Sequence, residues 1–278
     1  MNENQTKKIS LLIPVFNEAE SLPELNNEIS VVLEKLDFDY EVIYIDDGST
    51  DKSSDTLKVF NQANKKIKII KFRRNFGKAA ALAAGFAEAE GDLIITMDAD
   101  LQDEPKEIPS FINKINEGYD LISGWKENRQ DSLIKVISSK IFNLTVSVFS
   151  GIKLHDFNCG FKIYRRSVVK NIDVYGELHR FLPVLAYQKG FKIGELKVRH
   201  NPRKFGRSKY GSTGLKRVNN YFLDIINIVL LTKYAQKPLH FFGRVGLLSF
   251  LGGFFSCLYL TIIWFLGQRP ISNRPLLF

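Results

Sequence analysis

The chain has 278 residues, of which 45% are hydrophobic and 25% charged, so it can form one substantial domain with an appendage. Its formal net charge of +9 favours an anionic partner such as nucleic acid, anionic lipid or a phosphorylated substrate. Its two cysteines exclude a disulfide framework and favour a reducing compartment, and the polar residues 1–10 predict no signal peptide.

The first half of the chain alternates β-rich apolar runs with helically spaced segments. The patterns predict strands over residues 9–15, 40–45, 67–72, 92–97 and 119–123, and helices over residues 21–36, 78–89 and 104–117. A further helix, capped by Ser49 or Thr50, is predicted to run to about residue 63. Such alternation indicates βαβ units, and therefore an α/β fold with a mainly parallel sheet flanked by helices.

Residues 93–102 run from an apolar strand into two carboxylates, Asp98 and Asp100, at alternate positions. Because side chains alternate faces along a strand, both carboxylates are predicted on one side of the strand end. Two acids this close repel each other unless a cation lies between them, and Mg2+ or Mn2+ shared with substrate phosphates meets that need. The alternative is a solvated acidic turn. The metal interpretation is favoured because Asp46 and Asp47 also follow a strand, where α/β proteins bind ligands.

Residues 14–18 follow the first strand and suit a nucleoside. Pro14 is predicted to end strand pairing, Phe16 to stack on a flat base, and Glu18 to accept a hydrogen bond from a base edge or a ribose hydroxyl. The alternative is an ordinary polar turn after a strand.

Asp46 and Asp47 follow the second strand, and an acid in this position often holds a ribose hydroxyl. Its alternative role is helix capping. After the third strand, Gly77 is predicted to open a helix whose N-terminal N–H groups favour phosphate together with Lys78. The alternative for this segment, residues 73–78, is a basic surface turn.

A basic, glycine-containing loop over residues 203–211 follows a predicted strand over residues 193–200. Its cations suit a clamp for a diphosphate or a lipid phosphate, and the candidates are Arg203, Arg207 and Lys209. The alternative is a solvated basic loop attracted to anionic lipid. Upstream of this loop, Asp156 could orient or deprotonate an acceptor, or be a simple turn acid.

Residues 245–266 contain no charged side chain and are long enough to cross a membrane as a helix. Residues 132–150 and 215–234 are amphipathic, and each could lie in the membrane interface or be a buried helix. The lysines and arginines flanking the span place the N-terminal part in the cytoplasm. Apolar character returns at residues 275–278, so a second span beyond them is left open.

Taken together, these motifs resemble the family 2 glycosyltransferases of GT-A fold. The resemblance is closest to the polyprenyl-phosphate glycosyltransferases, the group containing dolichyl-phosphate mannose synthase and bactoprenol glucosyltransferase. The residues that carry it are 14–18, 46–51, 75–78, 98–102 and 203–209. It implies inverting transfer of one sugar, a hexose, from a nucleotide-sugar to a polyprenyl phosphate, undecaprenyl or dolichyl. A UDP-sugar is favoured, with a GDP-sugar as the alternative.

The resemblance also assigns roles by matched position. The donor-binding positions are Pro14, Phe16, Glu18, Ile45, Asp47, Lys78, Asp98, Ala99 and Lys126. Lys126 stands where the family often has arginine. The Mg2+ or Mn2+ positions are Asp98, Asp100 and Gln102, and the positions of the basic loop that grips phosphate are Arg203, Arg207 and Lys209. Asp156 matches an acid tied to acceptor activation, although residues 157–160 depart from the family pattern.

The predicted organisation is a cytoplasmic GT-A domain over residues 1–212, a juxtamembrane interfacial helix over 213–242 and a transmembrane segment over 243–278. The partners implied are the donor, the lipid acceptor, the membrane and a second copy of the chain, up to a tetramer. No nucleic-acid motif is present. Two alternatives stay open: a non-catalytic, membrane-tethered nucleotide-sugar-binding protein, and a glycosyltransferase with another lipid or glycan acceptor. The Gln-x-x-Arg-Trp motif of processive synthases is absent.

Overall fold

Seven strands form one sheet in the computed structural model, which describes residues 8–126, 133–176, 178–205 and 238–266. The strands are β1 Lys8–Val15, β2 Asp39–Asp46, β3 Ile67–Lys71, β4 Leu93–Thr96, β5 Leu121–Lys126, β6 Lys162–Arg165 and β7 Ile193–Val198. Their spatial order is β3-β2-β1-β4-β6-β5-β7. Only β6 runs antiparallel to its neighbours, β4 and β5. The prediction of a mainly parallel sheet is confirmed.

Helices cover both faces of this sheet. They are α1 Leu22–Leu33, α2 Ser53–Ala63, α3 Lys78–Glu88, α4 Ile108–Asn116, α5 Leu133–Ser150, α6 Arg166–Lys170, α7 Leu182–Gln188 and, in a separate unit, α8 Pro238–Phe265. Two 3-10 turns, Pro105–Glu107 and Leu178–Phe181, precede α4 and α7. One core cluster joins the sheet to α1, α2 and α4, and the other joins it to α3, α6 and α7.

The sequence pattern explains these two layers. In β1, Ile9, Leu11 and Ile13 face the first cluster, whereas Leu12 faces the second, so a central strand is apolar on both faces. In α4 the buried residues are Ile108, Phe111, Ile112 and Ile115, which is the spacing of one helical stripe. The predicted α/β architecture follows from this agreement between period and burial.

The prediction that Pro14 ends strand pairing is wrong. Pro14 lies inside β1 and is aligned with Ile45 of β2. Its missing N–H is tolerated because the main-chain groups of successive β1 residues point alternately toward β2 and toward β4. Leu12 accepts from the Met97 N–H on the β4 side, and Pro14 faces the same side beyond the end of β4.

The predicted cap of the second helix is also wrong. Helix α2 begins at Ser53, and neither Ser49 nor Thr50 caps it. Ser49 Oγ instead accepts from the Asn17 N–H (3.0 Å), and the Thr50 N–H donates to Asn17 Oδ1 (2.7 Å). These groups join the loops after β1 and β2, so the hydrogen bonds expected within one helix are used between two loops.

The chain divides into two compact units, Met1–Ile225 and Ile226–Phe278. In the second, α8 is the helix of the described ranges that is long and apolar enough to cross a membrane, with a mean hydropathy of 1.9 over its most apolar window. It begins at Pro238, before the predicted span. Most of the predicted interfacial helix and the boundary at residues 212 and 213 lie outside the described residues.

Candidate active site

The carboxyl ends of β1, β2 and β4 meet at one edge of the sheet because these strands are parallel. Hydrogen bonds join the loops that follow them. The Asn17 N–H donates to Ser49 Oγ (3.0 Å), and Ser21 Oγ donates to the Ala99 carbonyl (2.7 Å). The edge thus brings together these residues predicted from sequence: Phe16, Glu18, Asp47, Asp98, Ala99, Asp100 and Gln102.

Asp47 holds the loop that leads into α3. Its two carboxylate oxygens accept from the Phe76 N–H (2.7 Å) and the Gly77 N–H (2.9 Å). Gly48, at φ 71°, lets the loop approach, since a Cβ there would lie 2.4 Å from the Arg74 carbonyl carbon. Asp47 therefore orients the N-terminus of α3. Ile45 is fully buried in β2, between β1 and β3.

Asp98 is held between a lysine and a glycine. Its Oδ1 forms an ion pair with Lys78 Nζ, at the first residue of α3. Gly160 packs so closely on the other side that a Cβ there would lie 2.5 Å from Asp98 Oδ2. Burial opposes ionisation of this carboxyl, but the ammonium groups of Lys78 and Lys126 lower its pKa to about 2. Asp98 is therefore a carboxylate at neutral pH.

Asp100 is paired with a residue from the far end of the domain. Its Oδ2 accepts from the Arg203 guanidinium at 2.9 Å, and the same group lies 3.4 Å from Glu18 Oε1. Burial disfavours the charged guanidinium, but its bond to Asp100 raises the pKa of Arg203. The predicted basic segment thus reaches the acidic loop. Arg207 and Lys209 lie outside the described residues.

The loop between these acids and the helix that follows is strained and tightly held. Leu101, a non-glycine residue, has φ 60°, which turns its side chain into the core while Asp100 and Gln102 stay at the edge. Gln102 Nε2 donates to the Asn201 carbonyl (3.3 Å), and the Asn201 N–H donates to the Gln102 carbonyl (2.9 Å). Segment 199–205 is therefore bound along this loop.

The donor set of this loop fits a hard divalent cation. Asp98, Asp100 and Gln102 offer two carboxylates and a carboxamide oxygen, the ligands that Mg2+ and Mn2+ prefer. In this structure Asp98 forms an ion pair with Lys78, and Asp100 forms one with Arg203. Within the described ranges, no group of three or more His, Cys, Asp or Glu side chains is arranged to hold a metal by itself.

Lys126 has a different partner from the one its predicted role needs. It is buried, and its Nζ lies 2.9 Å from Asp103 Oδ1. Burial opposes charge on both groups; it raises the pKa of Asp103, whereas attraction to Asp103 raises that of Lys126. The sequence analysis missed Asp103, although it follows Gln102 directly. This pair anchors the acidic loop to β5.

Asp156 lies in the loop that enters β6 and is buried. Its Oδ1 accepts from the Asn158 N–H (3.0 Å), and its carbonyl accepts from Ser123 Oγ (3.3 Å). Because β6 is antiparallel, this loop arrives at the same edge as the carboxyl end of β4. The loop contacts Asp98 through Gly160, whose carbonyl accepts from Thr96 Oγ1 (2.8 Å).

Two titratable residues near this edge were missed. Lys162 is buried, its amino group donates to the Cys159 carbonyl, and burial lowers its pKa. His179 lies in the 3-10 turn beside α3, and burial lowers its pKa to about 3, so it is neutral. Neither position has a motif or a period that singles it out in the sequence, because each is defined only by the packing around Asp98.

The mainly parallel sheet flanked by helices is of the GT-A kind, and comparison with known proteins agrees. The model for glycosyl transferase family 2 matches residues 10–173, and the chain belongs to that family. It is a glycosyltransferase.

Two curated relatives are sugar transferases that act on polyprenyl phosphates. A dodecaprenyl-phosphate galacturonate synthase of Rhizobium johnstonii is 37% identical and aligns with 98% of this chain and 81% of its own length. An undecaprenyl-phosphate 4-deoxy-4-formamido-L-arabinose transferase of Salmonella choleraesuis is 38% identical over 92% of this chain and 76% of its own length. The resemblance to the polyprenyl-phosphate group is confirmed.

Solved structures agree on the fold. Glucosyl-3-phosphoglycerate synthase from Mycobacterium tuberculosis, in complex with Mn2+, UDP and phosphoglyceric acid, superposes with a TM-score of 0.61 at 16% identity, covering 81% of this chain and 78% of that one. Its complex with Mn2+ and UDP-glucose gives 0.58 at 19% identity, covering 81% and 79%. The GT-A assignment is confirmed.

Proposed function

We propose that this enzyme transfers one sugar from a nucleotide-sugar to a polyprenyl phosphate, with inversion, at the cytoplasmic face of a membrane. The proposal rests mainly on one observation: Asp98, the proposed donor-side acid, and Asp156, the proposed acceptor-side acid, lie at the same edge of the sheet. Gly160, in the loop that carries Asp156, packs against Asp98. Two curated relatives are named as sugar transferases of polyprenyl phosphates, which supports a polyprenyl phosphate as the acceptor here.

The donor diphosphate is proposed to lie between the N-terminus of α3 and the acidic loop. The first N–H groups of a helix attract anions, and Lys78 adds a full positive charge there. Asp47 fixes this helix end, and Phe16, half-buried at the same edge, stacks on the base. A UDP-sugar is favoured because solved neighbours hold UDP.

A divalent ion, Mg2+ or Mn2+, is proposed to bind Asp98, Asp100 and Gln102 together with the donor. Bound there, it would stabilise the charge that develops on the departing diphosphate. Solved GT-A neighbours contain Mn2+, which supports a divalent ion in general. In this chain Lys78 contributes the same kind of stabilisation from the helix side.

The acceptor phosphate is proposed to attack the anomeric carbon of the sugar directly. One of its oxygens forms the new bond while the bond to the nucleoside diphosphate breaks, and a single displacement inverts the configuration. Because a phosphate is already anionic near neutral pH, positioning matters more than proton removal. Arg203 is proposed to hold this phosphate with Arg207 and Lys209, and Asp156 to orient it.

Membrane attachment follows from the acceptor, which is a lipid. Helix α8 is proposed to cross the bilayer, because 28 residues span about 42 Å at ~1.5 Å per residue. Helix α5 is proposed to lie in the interface, since Ile141, Leu144 and Val148 form an exposed apolar stripe. A homo-oligomer, up to a tetramer, is proposed from family resemblance alone.

The test is a transfer assay with the full chain in membranes. Labelled UDP- and GDP-sugars would be supplied with undecaprenyl or dolichyl phosphate, and with Mg2+, Mn2+ or EDTA. We expect a glycolipid with one donor, formed in the presence of a divalent ion and lost in EDTA. Absence of any glycolipid across the panel, with a folded protein, would refute the proposal.

A further inference from the structure

The side chain of Asp156 is held in one orientation by its surroundings. Only 3% of Asp156 is exposed, and its Oδ2 has no hydrogen-bond partner among the described residues. Its Oδ1 accepts from the Asn158 N–H within the same turn. The direction of the carboxylate is therefore set by the main chain that carries it, and by whatever holds that main chain.

One side chain holds the main chain on both sides of Asp156. Asn143 Nδ2 donates to the His155 carbonyl (2.6 Å), and Asn143 Oδ1 accepts from the Phe157 N–H (3.4 Å). Only one orientation of a carboxamide satisfies both groups, because it must present its NH2 to the carbonyl and its oxygen to the N–H. Asn143 therefore fixes the peptide groups immediately before and after Asp156.

Asn143 belongs to α5, and its place on that helix is informative. Asn143 and Val146 are buried on the inner face. Ile141, Leu144 and Val148, 61–70% exposed, form the apolar stripe on the outer face. Helix α5 thus contacts the residues beside Asp156 with one face and exposes apolar side chains on the other. A displacement of α5 would be transmitted to the Asp156 main chain through Asn143.

A second set of contacts, from β7 and β5, holds the same segment. Glu195 of β7 accepts from the His155 N–H (2.8 Å) and contacts His155 Nδ1 (2.5 Å). The His155 ring stacks on Trp125 of β5, with centroids 4.0 Å apart and planes 12° from parallel. His155 is therefore fixed to the sheet. From α5 come the two hydrogen bonds of Asn143 and, at the neighbouring Leu154, one from Ser147 Oγ to the Leu154 carbonyl (3.5 Å).

We propose that Asn143 is a positioning residue that sets the Asp156 carboxylate for the lipid acceptor and connects it to helix α5. The assignment rests on the proposed function, in which Asp156 orients the acceptor phosphate. Asn143 itself touches no reacting atom. Its effect on turnover passes entirely through Asp156, and this distinguishes it from a residue that only stabilises the fold.

The test compares Asn143→Ala, Asp156→Asn and the double variant in the full chain, with polyprenyl phosphate in detergent–lipid micelles. We expect Asn143→Ala to lower kcat at least tenfold while the KM of the donor changes less than twofold. In the Asp156→Asn background the same change should lower kcat less than twofold, because the group it positions is already gone. Thermal unfolding of each variant reports on folding.

Two further variants complete the design. Asn143→Ser keeps a small hydroxyl that can meet one of the two peptide groups but cannot bridge both, so it serves if the alanine variant fails to fold. Asn171→Ala removes an exposed asparagine that donates to the Ser167 carbonyl (2.8 Å), and it should leave kcat unchanged.

The outcomes separate the two proposals. Wild type that forms no polyprenyl-linked sugar refutes the proposed function and this assignment with it. Wild type that transfers sugar, with an unchanged kcat in a folded Asn143 variant, refutes the assignment alone. Equal fold-losses in the wild-type and Asp156→Asn backgrounds would make Asn143 a structural residue and also refute the assignment.

Discussion

Asp98 is constrained from two sides at the edge of the sheet. Lys78 fixes one of its oxygens, Gly160 leaves no space beside the other, and the core holds its strand. A carboxylate so placed cannot turn away when a substrate arrives. Its orientation is built before binding, which is the condition under which electrostatic stabilisation costs no reorganisation.

Replacing Asp98 with asparagine removes the charge and keeps the shape. We expect transfer activity to fall by about 100-fold or more, because a preorganised charge at the reacting centre is lost. Sugar transfer under saturating donor measures it. Asp92→Asn, at the opposite end of β4, is the matched control and should keep near-wild-type activity. Equal activity of the two variants would contradict the role given to Asp98.

Gly160→Ala tests the space beside the Asp98 carboxylate. The added Cβ would lie 2.5–2.7 Å from three atoms of that carboxylate, so the side chain must move. We expect activity to fall by roughly tenfold or more, as a small misplacement of a reacting group does. Gly118→Ala is the control: it has open space but φ 100°, so stability should fall by about 1 kcal/mol without loss of turnover. Equal turnover of both variants would argue against the constraint.

The sequence predicted the residues that follow strands better than it predicted their partners. Asp98, Asp100 and Lys78 could be chosen because each directly follows a strand or opens a helix. The Arg203–Asp100 pair joins positions 103 residues apart, and the Asn143 contacts with residues 155 and 157 depend on how α5 packs. No local pattern encodes such contacts. The predicted helix cap at Ser49 failed for the same reason, since its hydroxyl is used by Asn17.

At the scale of elements, the parallel strands were predictable and β6 was not. Parallel central strands are continuous apolar runs, which the sequence displays directly. Strand β6 has only four residues, Lys162–Arg165, two of them basic, and it gains its place from β4 and β5 on either side. Four residues are too few to show the alternating pattern that separates a strand from a loop.

The opposite edge of the sheet carries a buried polar cluster centred on Glu41. Ser10 Oγ donates to Glu41 at 2.6 Å, the Glu90 N–H donates at 2.9 Å, and Lys68 lies 2.9 Å away. Burial alone would raise the pKa of Glu41, but these bonds together lower it. Stabilisation from Glu41 is therefore complete above its unfolded pKa, near 4.5, and is lost as the pH falls through the lower folded value.

Glu41→Gln should therefore lower the unfolding midpoint at pH 7, by the equivalent of about 1–3 kcal/mol, and flatten its decline below about pH 5. Thermal unfolding followed by circular dichroism across pH 3–8 measures both. Asp55→Asn removes an exposed ion pair with Lys58 and should change the profile much less than Glu41→Gln, because exposed ion pairs contribute little to stability. A steep acid decline that persists in Glu41→Gln would contradict this account.

At the scale of the whole molecule, α8 is proposed to determine where the enzyme acts. Leu251→Arg with Phe255→Arg places two charges in the middle of the helix, each costing about 2.5–3.5 kcal/mol at a bilayer centre. We expect the variant to be released from membranes by alkaline carbonate. Leu251→Ala with Phe255→Ala should stay bound. Equal retention of both would argue against a spanning α8.

The single reversed strand also bears on how such an enzyme diversifies. Asp47 and Asp98, on the proposed donor side, each follow a parallel strand, so their positions are tied to the register of the sheet. Asp156, on the proposed acceptor side, is instead carried by the segment that enters β6 beside β4. Apart from Gly160, which packs on Asp98, that segment can change without altering the register of the parallel strands. If the proposed roles hold, acceptor preference should diverge among such enzymes more readily than the donor side.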